Sequence, residues 1–179
     1  MQIPKAKLKS MLRYFCTNTD PRFLGKTKLM KLFYFVDFTH VKKYGMPITN
    51  DTYYHLEKGP IPSAIKNLVD AVDEEPEQAI LSDTIEVIKN DGQFIHRIKC
   101  LKEFTGKDKE YFSDIEFRTL QSVCERFNNY TTEAIVDASH REAPWKKTSE
   151  LGQIPYTLAA EDPDCKVSKE EIELLQKII

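Results

Sequence analysis

The sequence predicts a helix-dominated α+β fold: five or six helices around a central buried helix, with a small antiparallel β-sheet that includes one hairpin. Three observations carry the prediction. Several segments repeat apolar residues at the i, i+3, i+4, i+7 spacing of amphipathic helices. One of them, "KLMKLFYFVDFTHVKKYG" at residues 28–45, has an apolar arc wide enough for a central position. Two alternating stretches, "DTIEVIKN" and "FIHRIKCL", flank Asp91 and Gly92, a strong short-range signal for a hairpin.

The elements follow in order. Residues 4–17 form a first helix with Leu8, Met11, Leu12 and Phe15 on one face, and "NTDPRFLG" supplies a turn. A second helix runs from Lys26 to Tyr44 and stops at Gly45 and Pro47. A short strand at Thr52, Tyr53 and Tyr54 leads to a loop punctuated by Gly59, Pro60 and Pro62. Ser63 is placed to cap a helix to about Val72, which the acidic "DEEPEQ" closes. After the hairpin, a long helix is expected over residues 108–127, with Phe112, Ile115, Leu120, Val123, Cys124 and Phe127 turned to the core. "TTEAIVDASH" reads as a short helix, "REAPWKKT" as extended chain because residues before proline avoid the helical region, and Ser168 with Glu171 opens a last helix.

Composition excludes some classes of function. The 179 residues suit one domain, which buries roughly two-thirds of its unfolded surface at this size. With 26 basic and 28 acidic side chains the net charge is -2, so direct nucleic-acid binding, which draws on many Lys and Arg contacts, is disfavoured. No apolar stretch reaches membrane-spanning length, and a cytoplasmic protein without a membrane partner is expected. Cys16, Cys100, Cys124 and Cys165 are scattered without metal-ligand spacing, so free thiols are expected and no metal or cofactor.

Asp37 falls inside the apolar arc of the second helix, beside Leu29, Leu32, Phe33 and Val36. A buried carboxylate needs hydrogen-bond donors, a cation or a proton. Its donors are sought in the GPIP loop or in the start of the helix that follows, with His40 sharing the task. The competing reading makes Asp37 orient His40 for acid–base catalysis in a small enzyme, but the sequence holds no phosphate cradle or nucleophile elbow to go with it. Phe35 and Phe38 project among Lys28, Lys31 and Lys42; either another helix covers them or they form an aromatic, positively rimmed patch for an acidic protein partner. The lone Trp145 either fills a core gap or anchors a partner.

These residues also resemble a known family. Lys28, Leu29, Lys31, Leu32, Tyr34 and Asp37 in the helix, Gly45, Pro47 and Ile48 in the turn, Gly59, Pro60, Ile61 and Pro62 in the loop, and Pro144 with Trp145 near the end follow the pattern of the Panacea antitoxin domain, also described as SocA-like or phage-associated GepA-like. Lys58 stands where that pattern often has an aromatic residue. The resemblance implies one antitoxin domain over residues 1–179, without a separate DNA-binding segment, acting by direct contact with a cognate toxin protein. It implies no catalytic residue and no cofactor. Phe35, Phe38, Lys42, Lys58, Pro60 and Ile61 are the expected contact residues, with Asp37, His40 and Trp145 as a supporting polar core. An alternative is an adaptor that delivers the toxin to an ATP-dependent protease.

Overall fold

The computed structural model describes residues 3–89 and 96–178. Helix α1 (Lys5–Asn18) buries Leu8, Met11, Leu12 and Phe15, as its spacing predicts. Helix α2 (Lys26–Tyr44) keeps its predicted bounds, and Gly45 terminates it with φ of 80°, donating its N–H to the Val41 carbonyl. That left-handed conformation is the reason for glycine at this position. Helix α2 is buried on all sides, which explains why its sequence is apolar almost all round.

Strand β1 (Tyr53–Leu56) pairs antiparallel with β2 (Gly59–Pro62), so the expected GPIP loop is a strand. Its prolines are tolerated because β2 lies at the edge of a three-stranded sheet whose order is β2-β1-β5, with β5 at Gln153–Ile154. The register puts Tyr53, Pro62 and Ile154 together on the buried face, and Tyr54, Ile61 and Gln153 on the outward one.

Helix α3 (Ser63–Glu74) differs from expectation at its start. Ser63 is its first helical residue and caps nothing; the free amides of Ala64 and Ile65 are instead taken at 3.1 and 2.8 Å by the carboxylate of Asp51, ahead of β1. A single residue thereby fixes the helix to the strand that precedes it. Strands β3 (Ile85–Lys89) and β4 (His96–Cys100) form the predicted antiparallel pair; the expected Asp91-Gly92 turn lies outside the described residues.

The long helix expected over 108–127 is broken. A single turn, α4 (Gly106–Lys109), precedes α5 (Asp114–Phe127), and each begins with a capping box, Thr105 with Asp108 and Ser113 with Glu116. Each box satisfies free amides at the start of its own helix, so the interruption leaves few of them unpaired. Phe112, Leu120, Val123, Cys124 and Phe127 are buried as expected, whereas Ile115, on the outer side of α5, is 42% exposed.

Helix α6 (Thr132–His140) is capped by Thr131. The stretch expected to be extended forms a helical turn, α7 (Ala143–Lys146). Pro144 sits in its first turn, where a missing N–H costs nothing, and the amide of Ala143 is held by Asp162 at 2.7 Å. A 3-10 turn (Tyr156–Glu161) and α8 (Lys169–Gln176), opened by the predicted Ser168–Glu171 box, complete the chain. Among the described residues, six helices of eight residues or more, with the single turns α4 and α7 and two small antiparallel sheets, make the α+β class. No described helix is long and apolar enough to cross a membrane.

The shared cap at Asp51 is testable. Asp51→Ala should lower stability by about 1–2 kcal/mol, the usual cost of a lost helix cap. Denaturant unfolding should show it as a lower midpoint at unchanged slope; an unchanged midpoint would contradict the cap.

Candidate functional site

The site is built outward from α2. Asp37, fully buried, does not reach the GPIP segment or the start of α3, where its donors were expected. Its Oδ1 accepts the amides of Ile48 and Thr49 at 2.9 and 2.8 Å, and its Oδ2 accepts the hydroxyls of Thr49 and, at 2.9 Å, Tyr53. The Tyr156 hydroxyl, which donates to the Asp51 carbonyl at 2.8 Å, lies 3.3 Å from the same oxygen. Burial pushes the carboxyl above its ordinary value, and the hydrogen bonds from Thr49, Tyr53 and Ile48 oppose that push. The helix therefore grips the turn after its own end, strand β1 and the 3-10 turn at once.

His40 does not join this network. Its Nδ1 meets the Thr119 hydroxyl of α5 at 3.0 Å, and burial depresses its pKa to about 4, leaving it neutral at neutral pH. Asp37 and His40 do not converge on an open cleft, so the acid–base pairing expected as an alternative finds no geometry to carry it.

The three lysines that made α2 look basic are also buried. Lys28 donates to the carbonyls of Asn128 and Tyr130, both at 2.8 Å, and so holds the α5–α6 connection. Lys31 donates to the Pro60 carbonyl at 2.7 Å and holds β2. Lys42 meets Glu142, Asp162 and Asp164 at 3.1, 2.8 and 3.2 Å and holds the segments around α7. Burial depresses Lys28 to about 8 and Lys31 to about 7; on Lys42 the same burial is outweighed by Glu142 and Asp162, and its pKa is raised.

Phe35 and Phe38 were expected as contact residues and are interior, 1% and 0% exposed. Phe35 packs on Phe127 with ring centres 4.3 Å apart, and Phe38 packs among Tyr34, Tyr53 and Tyr156. Lys42 is withdrawn from the surface by its carboxylates, and Pro60 is buried against α2. Lys58 and Ile61 keep outward positions, Lys58 exposed at the β1–β2 tip and Ile61 half-buried opposite Tyr54.

Close packing fixes this hairpin. Gly59 has φ of 88°, and a Cβ there would lie 2.5 Å from the Ser139 hydroxyl and 2.8 Å from Lys31 Cε. Trp145 is half-buried with its indole between two imidazoles, 3.9 Å from His140 and 4.4 Å from His55, and its Nε1 reaches the Leu56 carbonyl at 3.4 Å. It thus seals the hairpin to α6 and α7.

What the bracing presents is an outward sheet face. Tyr54 is 38% exposed beside Ile61 and Gln153, and Leu151, 72% exposed, is held at φ of 61° by a bond from its N–H to the His55 carbonyl. A leucine in the left-handed region costs of order 1–3 kcal/mol, and such strain concentrates at functional positions. Sequence reasoning missed Tyr54, Leu151 and the lysine tethers; only the Tyr54 alternation within β1 carried a usable signal. Among the described residues no cluster of His, Cys, Asp and Glu could hold a metal ion.

The fold and this assembly of buried ties define a small α+β domain organised around one central helix. A family model described as antitoxin SocA-like, Panacea domain, matches residues 29–146, more than half of the chain, and the protein belongs to that family. The matched span runs from Leu29, the fourth residue of α2, to Lys146, the last residue of α7, and so contains both ends of the Lys31, Asp37–Tyr53 and Trp145 ties. No curated protein and no solved structure matches the chain significantly.

The Lys31 tether has a pH signature. Its pKa falls from 10.5 in the unfolded chain to about 7 in the fold, so between those values the unfolded state binds more protons and stability rises with pH. That contribution is complete above 10.5 and is lost as pH falls through about 7. The melting temperature of the wild type should therefore climb relative to Lys31→Met as pH is raised from neutrality, and a constant difference would contradict the assignment.

Proposed function

We propose that this protein neutralises a cognate toxin protein by binding it directly, through the outward face of the β2-β1-β5 sheet. Membership of an antitoxin family over residues 29–146 is the observation that carries the reading. The bracing supports the choice of surface: Asp37, Lys31 and Trp145, all part of the family pattern in this chain, converge on holding the hairpin and its neighbouring turn. A surface held rigid before contact loses little entropy on binding. Tyr54 and Ile61 supply apolar anchor area on that face, with exposed Leu151 close ahead of β5 and Lys58 as a rim charge, the make-up of a protein contact with a few dominant residues.

The mechanism is masking. The sheet face covers the surface through which the toxin acts, in the cytoplasm where both proteins are made, and the toxin's lifetime is unaffected by ATP-dependent proteases.

Co-expression with the product of the adjacent gene tests this. Growth should be arrested by that product alone and restored by this protein. Ile61→Asp and Tyr54→Ala, each affecting an outward side chain, should keep the melting temperature within a few degrees yet lose rescue and co-purification, since truncating a binding anchor costs about 2 kcal/mol or more. Rescue by both variants would place the contact elsewhere, and no rescue by the wild type would overturn the antitoxin reading for this pair.

A further inference from the structure

Cys16, near the end of α1, and Cys100, the last residue of β4, belong to none of the ties around α2. They are distant in sequence, but α1 packs on β4 and brings the two thiols into hydrogen-bond contact. Both line a surface hollow of about 710 Å³ together with Thr17, Arg97, Lys99 and Lys102, and its rim residues Leu101, Lys102 and Glu103 are exposed. An oxidant from solvent can therefore reach them.

The two thiols are unequal. The Cys16 thiol, the Arg13 charge and the amides of Lys102 and Leu101 hold Cys100 below the ordinary thiol value against the opposing effect of burial. The contact with Cys100 and burial push Cys16 far up. A thiol held below its ordinary value beside a second thiol held above it, both at the wall of one open hollow, is the arrangement of an attacking and a resolving cysteine. Cys124, by contrast, is buried and pushed up to about 12, and Cys165 donates to the Val167 carbonyl at 3.2 Å.

We propose that Cys100 and Cys16 form a reversible oxidation site, at which a hydroperoxide converts the two thiols into an intramolecular disulfide. The Cys100 thiolate attacks a peroxide oxygen; the O–O bond breaks, hydroxide or alkoxide leaves, and Cys100 becomes a sulfenic acid. The Cys16 sulfur then attacks the Cys100 sulfur. The S–S bond forms as the sulfenic hydroxyl leaves with the Cys16 proton as water, so the two sulfurs together lose two electrons to the peroxide. A thiol reductant reverses the step by exchange. The bond ties α1 to the β3–β4 pair across the hollow.

Hydrogen peroxide is the probe. After exposure of the full chain, intact-mass measurement should show the loss of two hydrogen atoms, and a non-reducing peptide map should show Cys16 joined to Cys100, with the change undone by dithiothreitol. Cys16→Ser should trap a sulfenic acid on Cys100 that dimedone labels, whereas Cys100→Ser should leave Cys16 unmodified under the same exposure. Circular dichroism verifies that both variants are folded. Oxidation of Cys124 or Cys165 as fast as Cys100, or a wild-type map without the Cys16–Cys100 link, would overturn the proposal whether or not the variants fold.

Discussion

The buried carboxylate of Asp37 is the interaction on which the rest of the arrangement depends. Taking a carboxylate out of water is unfavourable by several kcal/mol unless donors replace the lost hydration. Here two amides and two hydroxyls do so, and they come from the turn at Ile48–Thr49 and from β1. The requirement works in both directions. The carboxylate is tolerable only with the turn and strand in place, and the turn's buried amides are satisfied only with the carboxylate in place, each unsatisfied group costing about 1–3 kcal/mol.

The lysines extend the same logic along α2. Their apolar stems lie in the core and their amines end on backbone carbonyls or carboxylates of segments that carry little regular structure of their own. The Asn128–Tyr130 connection, strand β2 and the Asp162 region are each pinned to the one helix that the whole core surrounds. Short strands and single helical turns are marginal alone. Anchoring them to a common rod allows irregular chain to hold a fixed outer shape.

Much of this was legible in the residues, and the limits are physical. The bounds of α2, the β3–β4 pair, the cap at Ser168 and the burial of Asp37 follow from local spacing and chemistry. The break between α4 and α5 was written as two capping boxes, but the apolar period across 112–127 outweighed them. The GPIP segment reads as a loop because prolines rarely join sheets, and only its edge position, a tertiary fact, admits it. Lys28, Lys31, Lys42, Phe35 and Phe38 gave the wrong surface because a helix covered on all sides and a helix with one basic face have the same local pattern. What distinguishes them is whether distant carbonyls wait at the lysine tips, and no spacing along α2 encodes that. The meeting of Cys16 with Cys100 is of the same kind.

Amide hydrogen exchange at Ile48 and Thr49 tests the central claim most directly. In the wild type both amides should be protected to nearly the level of the α5 core. In Asp37→Ala they should exchange far faster than those of Leu120 and Val123, as the turn and β1 come free of the helix before the core opens. Equal protection of Ile48 and Thr49 in the two proteins would mean that the carboxylate does not hold the turn.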